Sequence, residues 1–188
     1  MDIPTDRPLV SERFEDVVLP HLDAAYRLAR WLARHDHDAE DIVQEASLRA
    51  LRYFRSFSGR NGRAWFLRIV RNTCLSWRGQ RANAPTDPFE EEQHSGATVA
   101  PDPEALLLAA DRAAWVEQAM NELPWHLREL LVLRELEGLS YRELADVVEI
   151  PIGTVMSRLS RAREAFRRAS ATPGHGGGSR GRVHATST

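Results

Sequence analysis

Apolar residues recur at helical spacing along most of this 188-residue chain, and no segment shows a clear strand pattern. The spacing predicts three helices in the first half, over about 11–34, about 38–55 and about 63–79. Pro20 lies inside the first of these, and we expect it to kink or restart that helix. The pattern therefore predicts an all-α fold.

The second half of the chain predicts four more helices. One starts at Asp102-Pro103, since aspartate is a good N-cap and proline suits the first helical position. Another runs from Pro124 to a stop at Gly138. Ser140 then begins a short helix with Glu143 three residues later, which is the pattern of a capping box.

A turn at Pro151 separates that short helix from a last one, which begins at about Ile152. The apolar stripe of the last helix consists of Val155, Leu159, Ala162 and Phe166. Its opposite face carries small, hydroxyl and arginine side chains. Together the two helices predict a helix-turn-helix whose second member lies in the major groove of DNA, although a helical hairpin with a basic surface has a similar pattern.

Composition divides the chain into two small helical domains. Residues 80–101 are rich in proline, alanine, glycine and acids, which predicts a flexible acidic linker. The linker separates an N-terminal helical bundle at 11–79 from a C-terminal four-helix domain at 102–169. Residues 1–10 are expected to be flexible, and the tail at 170–188 to be disordered because it has too few apolar residues to pack.

The net charge of −2 conceals a strong segregation of charge. Residues 46–86 contain nine arginines and no acid, whereas residues 87–149 contain fifteen acids and four arginines. Residues 150–188 are basic again, with seven arginines and one acid. Two basic patches separated by an acidic stretch predict two separate contacts with a polyanion such as DNA.

No pattern in the sequence predicts a membrane segment or a catalytic site. The single cysteine, Cys74, allows no intramolecular disulfide, and the chain lacks both a long apolar run and a signal-peptide pattern. We therefore expect a cytoplasmic protein without membrane insertion. The acids and histidines at 35–40 form the one candidate metal site, but adjacent residues at a helix start do not converge on a metal as an HExxH pair does. We expect no enzyme activity, no cofactor and no metal.

The third predicted helix has an arginine-rich surface beside aromatic residues. Arg68, Asn72 and Ser76 point away from its apolar stripe, and Trp65 lies at the border. Arginine, asparagine and aromatic side chains are typical of surfaces that stack on unpaired bases. A buried pair of tryptophans with a solvated arginine face fits the same pattern. Cys74 lies in the apolar stripe, so we expect it to have a structural role.

The second predicted helix has a line of charged residues that includes one leucine. Six residues are predicted to face inward, namely Ile42, Val43, Ala46, Ala50, Tyr53 and Phe54. The outward line consists of Asp41, Gln44, Glu45, Leu48 and Arg52, which we call the docking face. A leucine exposed among charges indicates a protein contact, although single exposed leucines are common.

Three segments together resemble one known family. DAEDIVQEASLRALRYF, GRAWFLRIVRNTC and LPWHLRELLVLRELEGLSYRELADVVEIPIGTVMSRLSRAR are similar, in order and spacing, to the extracytoplasmic-function (ECF) sigma factors, the smallest members of the sigma-70 class. The resemblance covers about 11–169. It implies a sigma factor that binds core RNA polymerase and directs promoter-specific initiation, recognising duplex DNA at the −35 element and melting the −10 element.

The resemblance also assigns roles to particular residues. It implies that the docking face binds the β′ clamp helices of the polymerase, and that the C-terminal domain meets the β flap. It implies a −10 set, which holds the opened strand, of Arg55, Phe57, Arg60, Arg63, Trp65, Arg68, Asn72 and Ser76. It implies a −35 set of Thr154, Met156, Ser157, Arg158, Ser160 and Arg161. An anti-sigma factor is the further partner expected.

Two positions depart from the family pattern. Family members often have Asp or Asn at the position of Ser76, and usually Lys or Arg at the position of Met156. The departure at Met156 predicts a different preference at the upstream promoter element. The competing hypothesis is a stand-alone helix-turn-helix regulator that binds a duplex operator, which would need neither the docking face nor the −10 set.

Overall fold

The structure, a computed structural model, describes residues 13–59, 61–82 and 103–171. Within these ranges the chain is helical and contains no strand, and the helices form two domains. The predicted all-α class and the division into two helical domains are therefore confirmed. The predictions for most of the linker, for residues 1–10, for Arg60 and for most of the tail lie outside the described residues, although residues 170 and 171 belong to the last helix.

The N-terminal domain begins with a broken helix. Helix α1 (Phe14–Val18) leads into a 3₁₀ turn (Leu19–His21) and then into α2 (Leu22–Ala33). Pro20 stands at the start of the 3₁₀ turn, as expected from its missing N–H group. The predicted restart at this proline is confirmed.

Two longer helices complete this domain. Helix α3 (Asp36–Tyr53) ends in a 3₁₀ turn (Phe54–Ser56), and α4 (Gly62–Ala82) follows. Helix α3 begins at Asp36 with His35 as its N-cap, two residues before the predicted start at about residue 38. A side chain at Gly62 would place its Cβ 2.7 Å from Val17 Cγ1, so the glycine permits the close approach of α4 to α1.

Tyr53 was predicted to face inward, and it is 56% exposed. Helix α3 ends at this residue, and the following 3₁₀ turn brings Phe54 against the rings of Phe14 and Trp65. Phe54 therefore faces inward as predicted, whereas Tyr53 does not.

The C-terminal domain consists of four α-helices and one π-helical segment. Its elements are α5 (Pro103–Glu122), α6 (Trp125–Leu131) with a π segment (Val132–Leu136), α7 (Tyr141–Val148) and α8 (Ile152–Ala171). Gly138 has a φ of +67°, which a glycine adopts without strain after a helix end.

The helix-turn-helix forms as predicted. Ser140 Oγ accepts from Glu143 N at 3.2 Å, and the Glu143 carboxylate accepts from Ser140 N at 2.7 Å, which completes the capping box. Val155 and Leu159 of α8 are buried, as the apolar stripe predicted.

The two domains pack directly against each other, which the sequence did not predict. Helices α2 and α4 lie against α6 and α7, and the buried residues of both domains form one continuous cluster. Arg128 of α6 is only 2% exposed and ties the domains together. Its guanidinium donates to Trp31 O at 3.2 Å and to Leu123 O at 3.0 Å.

Burial of Arg128 has an electrostatic cost. Desolvation, together with the nearby charges of Arg34 and Arg78, lowers the pKa of Arg128 to about 10. Its hydrogen bonds to main-chain carbonyls at the helix ends compensate part of this cost. In the described part of the chain, no helix is long and apolar enough to cross a bilayer.

Candidate functional site

The aromatic members of the −10 set form a cluster at the start of α4. The rings of Phe57 and Trp65 lie 5.1 Å apart, and Phe54 packs against both. Phe57 and Trp65 are half-buried and line a cavity of about 460 Å³ together with Arg68. A cavity of this size between aromatic and arginine side chains can hold a planar base.

The opposite wall of this cavity belongs to the C-terminal domain. Ala145, Asp146 and Glu149 of the helix-turn-helix face the aromatic cluster. The cavity is therefore shared between the domains, and two of the residues on its far wall are acidic.

Asn61 joins the two walls and was not among the predicted site residues. Its Oδ1 accepts from Ala64 N at 3.0 Å, which caps the start of α4. Its Nδ2 donates to Glu143 Oε1 at 2.6 Å, across the domain boundary. The sequence signal for the cap was an asparagine just before a predicted helix, whereas nothing in the pattern indicated the contact with Glu143.

The polar members of the −10 set occupy different positions. Arg63 donates to Glu137 Oε2 at 2.9 Å, and Arg68 is half-buried at the cavity. Asn72 accepts from Arg71 Nη1 at 3.2 Å, and Ser76 is exposed one turn further along α4. Arg55 is exposed in the 3₁₀ turn. The structure thus brings Phe57, Trp65 and Arg68 together at the cavity, whereas Arg63 is paired with Glu137, and Arg55 and Ser76 are exposed away from it.

Arg71 contacts one deeply buried carboxylate of the C-terminal domain. Its Nε lies 2.9 Å from Glu129 Oε2, and the Glu129 side chain is 2% exposed. Burial raises the pKa of Glu129, and the hydrogen bond from Arg71 opposes that shift. Arg71 therefore stabilises the ionised form of a carboxylate that burial alone would neutralise.

The −35 set lies along one side of α8. Met156, Ser157, Ser160 and Arg161 are exposed, and Thr154 is half-buried at the helix start. Arg161 Nε makes a long contact of 3.4 Å with Ser157 O, so its guanidinium is held along the helix surface. Arg158 differs from the others because it is half-buried, and its charge acts on the carboxylate of Glu129.

The docking face is exposed over its full length on α3. Asp41, Gln44, Glu45, Leu48 and Arg52 are all exposed, and Leu48 is 54% exposed. Asp41 pairs with His37 at 3.3 Å, and Glu45 pairs with Arg49 at 2.7 Å. Leu51, which lies outside the predicted docking face, is 57% exposed and extends the apolar part of this surface.

The candidate metal residues at the start of α3 are engaged in ion pairs. Asp36 pairs with Arg30, and Asp38 pairs with Arg81 at 2.5 Å. Across the described ranges, no group of three or more histidine, cysteine or carboxylate side chains is placed to hold a metal ion.

Comparison with known protein families gives two matches on this chain. Residues 17–83 match the family described as Sigma-70 region 2, and residues 113–166 match the family described as Sigma-70, region 4. The first match covers α2, α3 and α4, and the second covers most of the C-terminal domain. The two matches are consistent with the two-domain division of the fold.

Curated relatives carry sigma-factor names. The chain is 39% identical to the ECF RNA polymerase sigma-E factor of Escherichia coli K12 over 69% of this chain and 72% of that protein. It is 36% identical to the RNA polymerase sigma-H factor of Pseudomonas aeruginosa over 77% of this chain and 80% of that protein. It is 31% identical to the ECF RNA polymerase sigma factor SigE of Mycolicibacterium smegmatis over 82% of this chain, and spans 60% of that longer relative.

Two solved structures with a similar fold are complexes with a partner protein. The sigma factor RpoE of Bartonella quintana, solved with the anti-sigma factor NepR, matches with a TM-score of 0.66 and 27% identity, over 83% of this chain and 95% of that one. CnrH, solved with the cytosolic domain of CnrY, matches with a TM-score of 0.59 and 25% identity, over 82% of this chain and 85% of that one.

Proposed function

Because this chain belongs to the ECF sigma factors of the sigma-70 class, we propose that it binds core RNA polymerase and directs promoter-specific initiation. It acts as a non-catalytic initiation factor, and the chemistry of RNA synthesis stays with the polymerase. The observation that carries this proposal is the match of both sigma-70 regions to one chain, in the order that the two helical domains follow. A stand-alone regulator that binds an operator would require only the C-terminal helix-turn-helix domain.

The aromatic cavity beside α4 supports a role in opening the −10 element. Unpairing a base costs a few kcal/mol, and stacking on an aromatic ring returns about 1–3 kcal/mol per base. Phe57 and Trp65 offer such rings, and Arg68 lies close enough to meet the phosphate backbone. The domain thus has the side chains to hold a strand, while the polymerase contributes the rest of the opening energy.

The exposed side of α8 supports reading of the −35 element. Arg161 offers a guanidinium that can bind guanine through two hydrogen bonds, and Ser157 and Ser160 offer hydroxyl groups. Met156 is 55% exposed at the same side and brings an apolar contact instead of a positive charge. We propose that it shifts the sequence preference toward an apolar base edge such as the thymine methyl group.

The docking face on α3 is the surface that we assign to the polymerase β′ clamp. An exposed leucine flanked by acids and an arginine offers both apolar area and charge complementarity, which favours a specific protein contact. We also expect an anti-sigma factor as a partner. One solved relative is bound to an anti-sigma factor, and another is bound to the cytosolic domain of a partner protein. The proposed site of action is the cytoplasm, on the nucleoid with the polymerase.

Transcription from purified components tests the proposal. The protein is mixed with core RNA polymerase and a library of promoter fragments, and the initiated transcripts are sequenced. We expect transcripts that start at a fixed distance from a shared pair of sequence elements. Core polymerase alone serves as the control.

A regulator would give a different result. It would retain duplex DNA without polymerase and would initiate no transcripts with core enzyme. That outcome would overturn the proposed function.

A further inference from the structure

A second cavity shares no residue with the cavity beside Phe57 and Trp65. Its volume is about 320 Å³, and it is bounded mainly by the end of α2, the second half of α4 and the start of α6. We call it the arginine cavity after four of the residues that line it, namely Arg34, Arg78, Arg81 and Arg128. These arginines lie outside the docking face, the −10 set and the −35 set.

The positive charge of the arginine cavity is only partly balanced. Arg81 pairs with Asp38 at 2.5 Å. Among the residues that the structure describes, no carboxylate forms an ion pair with Arg34, Arg78 or Arg128. The hydrogen bonds of Arg34 and Arg128 go to main-chain carbonyl oxygens, and a carbonyl group carries no net charge. The cavity therefore keeps an excess of positive charge that a bound anion would neutralise.

Arg128 has the most to gain from such an anion. It is 2% exposed, and its Nε is buried without a hydrogen-bond partner. Burial and the charges of Arg34 and Arg78 lower the pKa of Arg128 to about 10. A buried cation that is repelled by its neighbours is stabilised when an anion binds nearby. Because its Nε is closed to solvent, Arg128 would act on the anion through its charge.

Two exposed arginines of the cavity are positioned by tryptophan rings. The guanidinium of Arg78 lies 5.8 Å from the ring centre of Trp125, and that of Arg81 lies 4.7 Å from the ring centre of Trp77. A guanidinium over a ring face keeps its N–H edge available for an oxyanion. Arg81 uses its Nη1 for Asp38 and retains further donors. The cavity thus offers donors that are already placed for an anion.

The remaining wall is apolar, which narrows the class of ligand. Leu32, Ile42 and Pro124 lie there with the two tryptophans. Sites for small organic molecules have volumes of about 300–1,000 Å³, so this cavity has room for more than an inorganic ion. A phosphate group matches the arginines, because its oxygens accept from a guanidinium in pairs. The chemistry favours a phosphomonoester with an apolar or planar part.

We propose that the arginine cavity binds a small phosphorylated molecule, with its phosphate group among Arg34, Arg78 and Arg81 and its apolar or planar part toward the tryptophans. A small molecule fits better than a DNA strand, because the charge of the deeply buried Arg128 acts most strongly inside the cavity. The site goes beyond the proposed function, since it requires neither the polymerase nor a promoter.

Calorimetric titration of the full chain tests the proposal with three probes. They are adenosine 5′-monophosphate, inorganic phosphate and adenosine. We expect saturable binding of one adenosine 5′-monophosphate per chain, competition by inorganic phosphate, and at least tenfold weaker binding of adenosine, which lacks the charged group. Affinity should fall as salt is added, because three of the four arginines are exposed.

A double variant and its matched control locate the site. Arg78→Gln/Arg81→Gln should weaken binding of adenosine 5′-monophosphate by about tenfold or more, since it removes two charged donors. Arg112→Gln/Arg142→Gln removes the same charge from exposed positions outside the cavity and should change the affinity by no more than about twofold. Both variants alter only exposed side chains, so both should fold.

Nuclear magnetic resonance of the tryptophan indole N–H groups gives an independent location. The signals of Trp77 and Trp125 should shift as adenosine 5′-monophosphate is added, because both rings line the cavity. The signal of Trp115 should stay in place, since its ring packs near Phe166 of α8.

Three results would overturn the proposal. The first is the absence of saturable binding by both phosphate probes, including the case in which only a DNA oligonucleotide binds through Arg78 and Arg81. The second is an equal loss of affinity in the two double variants. The third is binding that emerges only in Glu90→Gln/Glu91→Gln/Glu92→Gln, which would show that acids of this chain occupy the cavity.

Discussion

The indole ring of Trp65 lies 5.1 Å from the phenyl ring of Phe57, with the two ring planes tilted by 48°. Such a pair is rigid because each ring restricts the other, and it leaves part of each surface facing the adjacent cavity. Rigid aromatic surfaces bind a base with little loss of conformational entropy. The pair therefore provides a preformed stacking site.

Trp65→Ala is expected to impair promoter opening without preventing DNA binding at the upstream element. Loss of one stacking partner should cost about 1–3 kcal/mol in the stability of the opened complex. Permanganate footprinting of unpaired thymines measures this loss, with holoenzyme on a promoter from which the wild-type protein initiates. Trp65→Phe retains an aromatic ring, so its permanganate reactivity should lie between those of wild type and Trp65→Ala. Normal permanganate reactivity in Trp65→Ala would contradict the assignment.

Leu48→Ala is expected to weaken binding to core polymerase. An exposed leucine that becomes buried in a contact contributes about 1.5–3 kcal/mol, so the dissociation constant should rise by about tenfold or more. Surface plasmon resonance with immobilised core enzyme gives the constant. Leu19→Ala is the matched control, because Leu19 has the same 54% exposure and lies in the 3₁₀ turn before α2. Equal losses of affinity in Leu48→Ala and Leu19→Ala would show that the docking face does not bind the polymerase.

The sequence predicted the elements of this fold better than their assembly. Helix starts and stops depend on residues that are close in sequence, so local chemistry determines them. Examples are the break at Pro20, the stop at Gly138 and the Ser140–Glu143 capping box. The packing of the domains depends on contacts such as Arg63 with Glu137, which are 74 residues apart. No periodicity in the chain encodes such a pairing.

The charge pattern shows the same limit. The acid-free segment 46–86 was interpreted as a DNA-binding patch, and two of its arginines, Arg63 and Arg71, are in fact paired with glutamates of the acidic segment that follows. Segregated charge along a sequence predicts attraction to an anion, but it does not say whether that anion is DNA or another part of the chain. The geometry of the contacts is needed for that distinction.

Glu143 should stabilise the C-terminal domain in a pH-dependent way. Hydrogen bonds from Ser140 lower the pKa of the Glu143 carboxyl, with a smaller contribution from Asn61. Its stabilisation is therefore complete above the ordinary pKa of 4.5 and is lost as the pH falls through the lower value of the folded state. The free energy of unfolding in urea should be higher for wild type than for Glu143→Gln near neutral pH.

This difference between wild type and Glu143→Gln should shrink as the solution is acidified below the ordinary pKa. Glu164→Gln serves as the control, since it removes an exposed carboxylate of α8 from the same domain. A wild-type advantage that stayed constant across the acid range would show that the carboxylate charge of Glu143 is not what stabilises the helix start.

Cys74 should be unreactive in the native protein. The side chain is 3% exposed, and burial raises the pKa of its thiol to about 12, so little thiolate forms near neutral pH. Labelling with DTNB should be slow in buffer and fast in denaturant, because the reagent reaches the thiol only after the domain opens. In Ser76→Cys, the added thiol two residues further along α4 is exposed and should react at once. Rapid native labelling of wild type would contradict the buried position.

Arg161→Ala should reduce selection of the upstream promoter element. Arg161 is exposed on the side of α8 assigned to the −35 duplex, and a bidentate contact with a guanine contributes about 1–3 kcal/mol of discrimination. The comparison uses holoenzyme and a library randomised at the upstream element, with enrichment read by sequencing. Arg163→Ala is the matched control, because it removes the same charge from the other side of the helix, where Arg163 pairs with Glu135 at 2.8 Å. A general loss of phosphate attraction would weaken binding to all sequences alike in both variants.

Loss of preference at one base position in Arg161→Ala alone would identify a contact between Arg161 and that base. An unchanged preference would exclude Arg161 from the surface of α8 that reads the −35 element.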